Sequence, residues 1–494
     1  MKFRTLTCVT AIVLFAMLAT SVRLSAQDTR YKLIDIGTLG GPSSHGPGNQ
    51  GSQLLNNAGV VVGSSDTSAP DPNAPNCFSP DCFLGHAFRW EDGVLTDLGT
   101  IPGGENSGAN SINARGWIVG GSTTAEIDPL NTACGFQPLC PQFHGFVWKD
   151  EKIIDIGTLG EGLESNTVYI NNAGAVVGFS TINTSPDPFS FLGAPIHAFI
   201  WRDGEMRDLG TLGGPDSTPS QGGCNNQRND LVAGTSLTNS TPNPTTGSPT
   251  QHAFVWENGT MTDIPTLGGT YAFAQGANNQ GQVIGQSNLT GDPGCDGSAT
   301  DGSCFQHAFL WDHETLTDLE ALGGSSSVAN WINNAGDIVG GAATKNDESF
   351  HAALWRHDRI IDLGTLPGDC LSFALAINSK GQIVGQSFNC DTLTSRTVLW
   401  EMGSIIDLKV ISLDPLDIND RGEITGFEAP PGCLDTNFCA VQAFLLIPCA
   451  DGQGCKGKDS FSAQIESPAA ATTLTQRREM TKVFVARLRT RKKT

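Results

Sequence analysis

The sequence predicts an all-β fold, a β-propeller of about eight four-stranded blades. Three observations carry the prediction. The first is a phrase that recurs along the chain: His-Ala-Phe-x-Trp, then Asp-Leu-Gly-Thr-Leu-Gly-Gly, then Ile-Asn-x-x-Gly-x-Val-Val-Gly-x-Ser. The second is its period. The marker aspartates Asp35, Asp97, Asp155, Asp208, Asp263, Asp318, Asp362 and Asp407 stand 62, 58, 53, 55, 55, 44 and 45 residues apart. That is blade spacing, longer than most stacked solenoid repeats. The third lies at the ends of the array. The first copy begins at Leu33 with no His-Ala-Phe-x-Trp before it. The last is followed by Ala443-Phe444-Leu445-Leu446-Ile447, a strand of that type with nothing after it. Pairing these two ends closes a ring and removes exposed sheet edges.

Each unit holds four stretches of strand character. In one copy these are Ser327–Asn333, Asp337–Gly341, His307–Trp311 and Leu316–Leu319. Asn333-Asn334-Ala335-Gly336 reads as a hairpin turn whose Asn and Gly suit positive φ. A second hairpin follows Trp, as in Trp201-Arg202-Asp203-Gly204-Glu205. Two hairpins make one antiparallel sheet. The markers count eight blades, or seven if the divergent unit from Asp407 to Glu428 packs differently. Trp90, Trp148, Trp201, Trp256, Trp311, Trp355 and Trp400 recur once per unit, as inter-blade packing would require. Trp117 and Trp331 stand outside that series and are expected in core strands. Cys224 takes the slot of Ile112 and Ile170 and reads as a small buried hydrophobe.

Around the array the chain divides into a signal peptide at 1–26, the repeat body at 27–448, a linker at 449–475 and a basic, helix-compatible tail at 476–494. Lys2 and Arg4, the apolar run Ala11 to Ala19 and the small residues Leu24-Ser25-Ala26 have the form of a cleaved secretory signal. Export to the cell surface or beyond, or to a periplasm, follows. After signal removal no stretch is apolar enough to span a bilayer. From Gln27 to Cys455 the chain carries 16 Lys and Arg against 47 Asp and Glu, a net of −31. Such a body repels phosphates, which excludes nucleic acid as a partner. The last 39 residues carry 10 basic against 3 acidic groups, so the tail suits an anionic envelope surface, a partner or the acidic body.

Twelve cysteines fall into close pairs: Cys77/Cys82, Cys134/Cys140, Cys295/Cys304, Cys370/Cys390, Cys433/Cys439 and Cys449/Cys455. Local disulfides fit an oxidising compartment. Zinc fits less well, because no Cys-x-x-Cys spacing occurs.

The phrase resembles the His-Ala-Phe (HAF) repeat family of probable extracellular bacterial proteins, over roughly Leu33 to Ile447. The resemblance implies secretion and a repeat β-architecture. It lends no catalytic residues.

His86, His144, His197, His252, His307 and His351 each accompany a repeat Asp. A catalytic group is needed once, whereas these recur in nearly every unit, so they read as framework hydrogen bonds. Neither a nucleophile elbow, a His-Glu-x-x-His nor a phosphate loop is present. Function is therefore expected where copies differ. The two tight hairpins open on one face of the ring. The long inserts Asp66–Gly85, Thr123–Phe143, Thr181–Ile196, Leu237–Gln251 and Asn288–Gln306 open on the other, with most of the cysteine pairs. Loops pinned on a rigid frame are where binding surfaces form. The candidate contacts are Phe83, Phe136, Phe143, Phe191, Tyr271 and Phe273, which offer rings for stacking on sugars or peptides. Glu105, Glu161, Asp216 and Asp369 offer carboxylates for acid–base work. No cofactor is implied and no metal site is read. Asp292, Asp296 and Asp301 in one Gly-rich loop leave calcium open, although they lack EF-hand spacing.

The expectation is a secreted binding or scaffolding module that recognises an extracellular glycan or protein through its long-loop face. A propeller-type polysaccharide hydrolase or lyase is the alternative. A purely structural surface protein is the third.

Overall fold

The structure is a computed structural model. It describes residues 30–466 apart from 47–51, 75–76, 78–80, 131–139, 221–230, 243–246, 291–305, 393, 411, 429–439, 450–459 and 463. The signal segment, Cys224, Phe136, the Asp292–Asp301 loop and the 476–494 tail lie outside the described residues. Among the described residues no helix is long and apolar enough to cross a membrane.

The fold is a β-propeller. Its strands sort into four-stranded antiparallel sets in chain order. The first is Gly40–His45, Val61–Pro70, Phe83–Glu91 and Val94–Asp97. The sixth is Gly323–Ile332, Ile338–Thr344, Phe350–Arg356 and Arg359–Asp362. The boundary between sets corrects the sequence reading. Gln306–Asp312 and Thr315–Asp318 complete the fifth set, whereas Gly323–Ile332 opens the sixth. Each recurring phrase thus ends one blade and begins the next.

The last set is made from both ends of the array. Ser412–Ile418, Ile424–Glu428 and Gln442–Pro448 come from the C-terminal side, and Arg30–Asp35 supplies the fourth strand. Asp35 lies opposite Phe444, the register in which Asp97 lies opposite Phe88. The divergent unit after Asp407 therefore folds on the common plan. The seam also uses the contact found between other neighbours. The Ala443 N–H donates to Ser44 Oγ at 2.6 Å, as Ala87 does to Ser107, Ala198 to Ser217 and Ala308 to Ser327.

Two local devices build each blade. The hairpin after Trp has positive φ at Asp203 and Gly204, and likewise at Asp92 and Gly93. That is the turn whose twist matches antiparallel strands. The Asn-x-x-Gly hairpin differs from expectation, because only its Gly has positive φ. The Asn acts through its side chain. Asn333 Oδ1 accepts from Ala335 and Asp337 N–H, while its Nδ2 donates to Asn378 O in the next blade. Equivalent inter-blade bonds run Asn56 to Asn113, Asn113 to Asn171, Asn278 to Asn333, Asn378 to Asn419 and Asn419 to Asn56 at 2.9–3.2 Å.

The Gly of Val-Val-Gly is a packing requirement. A Cβ at Gly178, Gly285 or Gly385 would stand 2.0–2.1 Å from the carbonyl of Asn166, Phe273 or Phe373 on the neighbouring strand, which carries a bulge just there. The ring of the His-Ala-Phe phenylalanine also presses on this glycine at Gly178, Gly234 and Gly285. Phe88, Phe146, Phe199, Phe254, Phe309 and Phe444 are all fully buried, each stabilising the fold by about 1.5–3 kcal/mol. Trp355 and Trp400 span neighbouring sets, donating Nε1–H to Leu319 O and Leu363 O. Trp331 is a strand residue packed at a core margin. For Trp117 only the strand placement is corrected: it follows a turn, packs half-buried against a core cluster, and has Arg115 and Lys149 against its ring.

The 449–475 segment also departs from the expected linker. Ser460–Ser462 pairs with Arg30–Asp35, and Gln464–Glu466 pairs with Ser404–Asp407. Part of the expected linker therefore forms strands on the outer edges of two blades.

Candidate binding surface

The His–Asp pairs are equivalent to one another. His86–Asp97, His144–Asp155, His197–Asp208, His252–Asp263, His307–Asp318 and His351–Asp362 all meet through Nδ1 at 2.8–3.1 Å. A carboxylate only accepts, so Nδ1 carries the proton. Most of these aspartates also accept a backbone N–H two residues on, from Gly99, Gly157, Gly210, Glu320 and Gly364. Burial raises the carboxyls of Asp97, Asp155, Asp208, Asp318 and Asp362, but the His and N–H donors outweigh it and hold them below the usual range. Each pair ties the two outer strands of one blade together. The blade ending in Ser404–Asp407 substitutes cations, with Arg396 and Lys409 on Asp407.

The loop face is where the blades differ. Disulfides Cys77–Cys82 and Cys370–Cys390 form as paired in sequence. Cys140 and Cys449 are also disulfide-bonded. The other cysteines paired from the sequence, Cys134, Cys295, Cys304, Cys433, Cys439 and Cys455, all lie outside the described residues. The expected bridges from Cys295 to Cys304 and from Cys433 to Cys439 therefore rest on their sequence spacing alone.

Three loops share a feature that sequence reading missed. Asp71, Asp128 and Asp187 each precede a Pro, are buried, and accept the N–H two residues on, from Asn73, Leu130 and Phe189. The recurring Asp-Pro pair was the available signal.

Against these loops stands one position of the next blade. Asn106, Glu164 and Asp216 accept the N–H of Gly85, Phe143 and Ile196. Glu164 is 2% exposed, and burial with Asp128 nearby pushes its carboxyl up to about 8. Burial and Asp187 push Asp216 up to about 6, against the Ile196 N–H and His197. Glu164 is therefore mostly protonated at neutral pH, and the neutral Asn106 in the same place has the matching hydrogen-bonding character.

Between the first two blades this face opens into a cleft of about 230 Å³. Pro72, Asn73, Gly103, Glu105, Asn106, Thr123, Thr124, Ala125, Ile127 and Pro141 line it. Its walls join amide, hydroxyl and carboxylate groups to proline and isoleucine.

The structure divides the sequence candidates. Glu105 lies in the cleft. Phe191 is 63% exposed on a loop and meets Phe179 edge-on. Tyr271 and Phe273 meet edge-on at an inner strand, away from that cleft. Phe83 opens its strand half-buried, and Phe143 covers Gly121. Glu161 is exposed, on a different connection. Asp369 is buried and bound by Arg396 and Ser387, a framework role. The candidates do not converge on one catalytic centre. Among the described residues no cluster of three or more His, Cys, Asp or Glu could hold a metal.

No protein-family model and no curated protein matches the chain. Among solved structures it is similar to the β-propeller domain of the Trilobed protease from Pyrococcus furiosus, at 10% identity and TM-score 0.42 over 76% of this chain and 99% of that one. It is also similar to Pyrococcus horikoshii acylaminoacyl peptidase, at 10% identity and TM-score 0.40, covering 78% of this chain and 58% of that one. An α-L-arabinofuranosidase from Fusarium graminearum matches at 9% identity and TM-score 0.31 over 84% of this chain and 97% of that one. At these values none of them speaks to what this chain binds or acts on.

Proposed function

We propose that the protein is an exported binding module that holds an extracellular glycan on its long-loop face. The observation carrying this reading is the cleft between the first two blades, the one place where Asn73, Glu105, Thr124 and Ile127 meet away from the shared frame. Amide and carboxylate groups suit sugar hydroxyls, and the proline and isoleucine walls suit the apolar faces of a sugar ring. The disulfides fit an oxidising compartment. A binding role also accords with the histidines, which are repeated and tied into the frame rather than gathered at one point.

The test is a glycan and protein array with the purified full-length protein, followed by Asn73→Ala, Glu105→Ala and Ile127→Ala. Binding to a glycan, weakened at least tenfold by two of these changes, supports the reading. Binding that none of them alters moves the site elsewhere. Capture of protein ligands alone overturns the glycan choice.

Hydrolysis is favoured by a different observation, the neutral Glu164 beside Asp128, since an acid next to a carboxylate is the pairing that glycoside cleavage uses. Both side chains are buried. Turnover of a polysaccharide that Glu164→Gln abolishes, without loss of folding, establishes that reading.

A further inference from the structure

The C-terminal segment pairs with the outer edges of two neighbouring blades in turn. Ser460–Ser462 runs antiparallel to the outer strand of the last blade, with Ser460 opposite Lys32 and Ser462 opposite Arg30. Only residue 463 separates it from Gln464–Glu466, which runs antiparallel to the outer strand of the preceding blade. There Gln464 lies opposite Asp407, Ile465 opposite Ile406 and Glu466 opposite Ile405. The segment is a strap that moves backwards around the rim, from one outer edge to the next.

The register sets the step. Asp35 is the equivalent of Asp407, and with the two blades aligned on these residues the second pairing lies seven residues further along the strap than the first. Residue 464 is opposite Asp407 itself, so the strap advances seven residues per blade. The next edge in that direction is Arg359–Asp362, which pairs only with Phe350–Arg356 among the described residues. It repeats the strapped sequence: Ile360-Ile361-Asp362 matches Ile405-Ile406-Asp407. Burial separates the two. Ile406, opposite Leu399, is 3% exposed, whereas Ile361, opposite Leu354, is 42% exposed. An apolar edge left open in this way is a template for another strand.

We propose that the chain beyond Glu466 takes one more such step, and that residues 471–473 add a strand to the open edge of Arg359–Asp362. The register sets Thr473 opposite Ile360, Thr472 opposite Ile361 and Ala471 opposite Asp362. The residues there suit the role. Thr472-Thr473-Leu474 has strand propensity, and Pro468, which lacks a donor, falls in the interval between strands. Charge agrees. Residues 467–494 hold eight Lys and Arg against one acid, and the rim aspartates keep 36–48% of their side chains exposed. A further step of seven brings Arg478 opposite Asp318. The occupant of this edge is thus the chain's own tail, which clasps the seam and shields neighbouring edges.

The test uses the full-length chain carrying Ile361→Cys and Thr472→Cys, mildly oxidised and mapped by mass without reduction. A link between positions 361 and 472 within one chain is expected, with much less link when Thr475→Cys replaces Thr472→Cys. Hydrogen exchange supplies a second reading that needs no cysteines. Deleting residues 467–494 should raise exchange at positions 359–362 about tenfold, and not at the outer strand Lys152–Asp155. A link formed only between two chains overturns the proposal in favour of a second copy. So does equal linking at both registers, or unchanged exchange at 359–362 in the deletion.

Discussion

Asn419 Nδ2 donates to the carbonyl of Asn56 at 3.0 Å, although 363 residues of chain separate them. The bond is the same one that joins Asn378 to Asn419 and Asn333 to Asn378. The two ends of the array therefore meet through an ordinary inter-blade contact. Asp417 reinforces the meeting by accepting the Leu54 and Leu55 N–H groups from the first blade.

Removing that amide should cost as much as removing one inside the array. Asn419→Ala removes one of the two donors to the Asn56 carbonyl, which keeps the Gly59 N–H, and takes the Oδ1 acceptor from its own turn, a combined loss of about 1–3 kcal/mol. Asn333→Ala should lose a similar amount, read as a lower urea midpoint at unchanged slope. A much smaller loss for Asn419→Ala would mean that the seam contributes little to stability.

The histidines should behave alike. Single changes to Ala at His86, His197, His252 or His307 should each destabilise by about 0.5–2 kcal/mol and leave ligand affinity within a factor of two. One histidine whose loss abolishes function while the others do not would restore a catalytic reading. Asp97, Asp208 and Asp318 titrate below the usual carboxylate value, so at these three pairs the stabilisation is present at neutral pH and is lost as pH falls below about 4.

Much of this frame was readable because it is local. Marker spacing, the turn after Trp and the complementary ends all follow from residues a few positions apart or from counting. What escaped was contact between blades. Nothing near Asn333 in sequence announces Asn378 O as its acceptor. Nothing near Asp128 announces Glu164, 36 residues later, as its neighbour. The strap escaped for another reason. Strand pairing at an edge is made by backbone groups, and a Ser- and Ala-rich segment gives them no side-chain pattern to betray it. Of the candidate site, Glu105 was identified, while Asn73, Thr124 and Ile127 were hidden in inserts with no repeat to compare against.

The Cys370–Cys390 bridge closes a loop of 20 residues, so its loss should cost roughly 3 kcal/mol through the unfolded chain. Cys77–Cys82 closes only five and should cost less. Non-reducing mass mapping should recover both links, and Cys370→Ser with Cys390→Ser should lower the midpoint more than Cys77→Ser with Cys82→Ser. The reverse order would show that the shorter bridge acts through the folded cleft wall at Pro72 and Asn73.

Glu164 provides a test at the alkaline end. Its carboxyl is raised from 4.5 to about 8, so the folded state binds that proton more tightly than the unfolded chain. Sign follows from linkage: the contribution is complete below pH 4.5 and is lost as pH rises through 8. At pH 9 the penalty for ionising this carboxyl in its buried place, with Asp128 adding to it, has a ceiling of about 5 kcal/mol, which relaxation reduces. Glu164→Gln keeps a carbonyl for the Phe143 N–H and cannot ionise, repeating the solution that Asn106 provides one blade earlier. The variant should match the parent near pH 4 and exceed it in melting temperature by several degrees at pH 9. Asp128→Asn should reduce the parent's loss of stability and complete it at lower pH, because an ionised Glu164 would then face no like charge and only burial would still raise its carboxyl. Equal pH dependence in parent and Glu164→Gln would place the titrating group elsewhere, with Asp417, raised to about 6 at the seam, the next to examine.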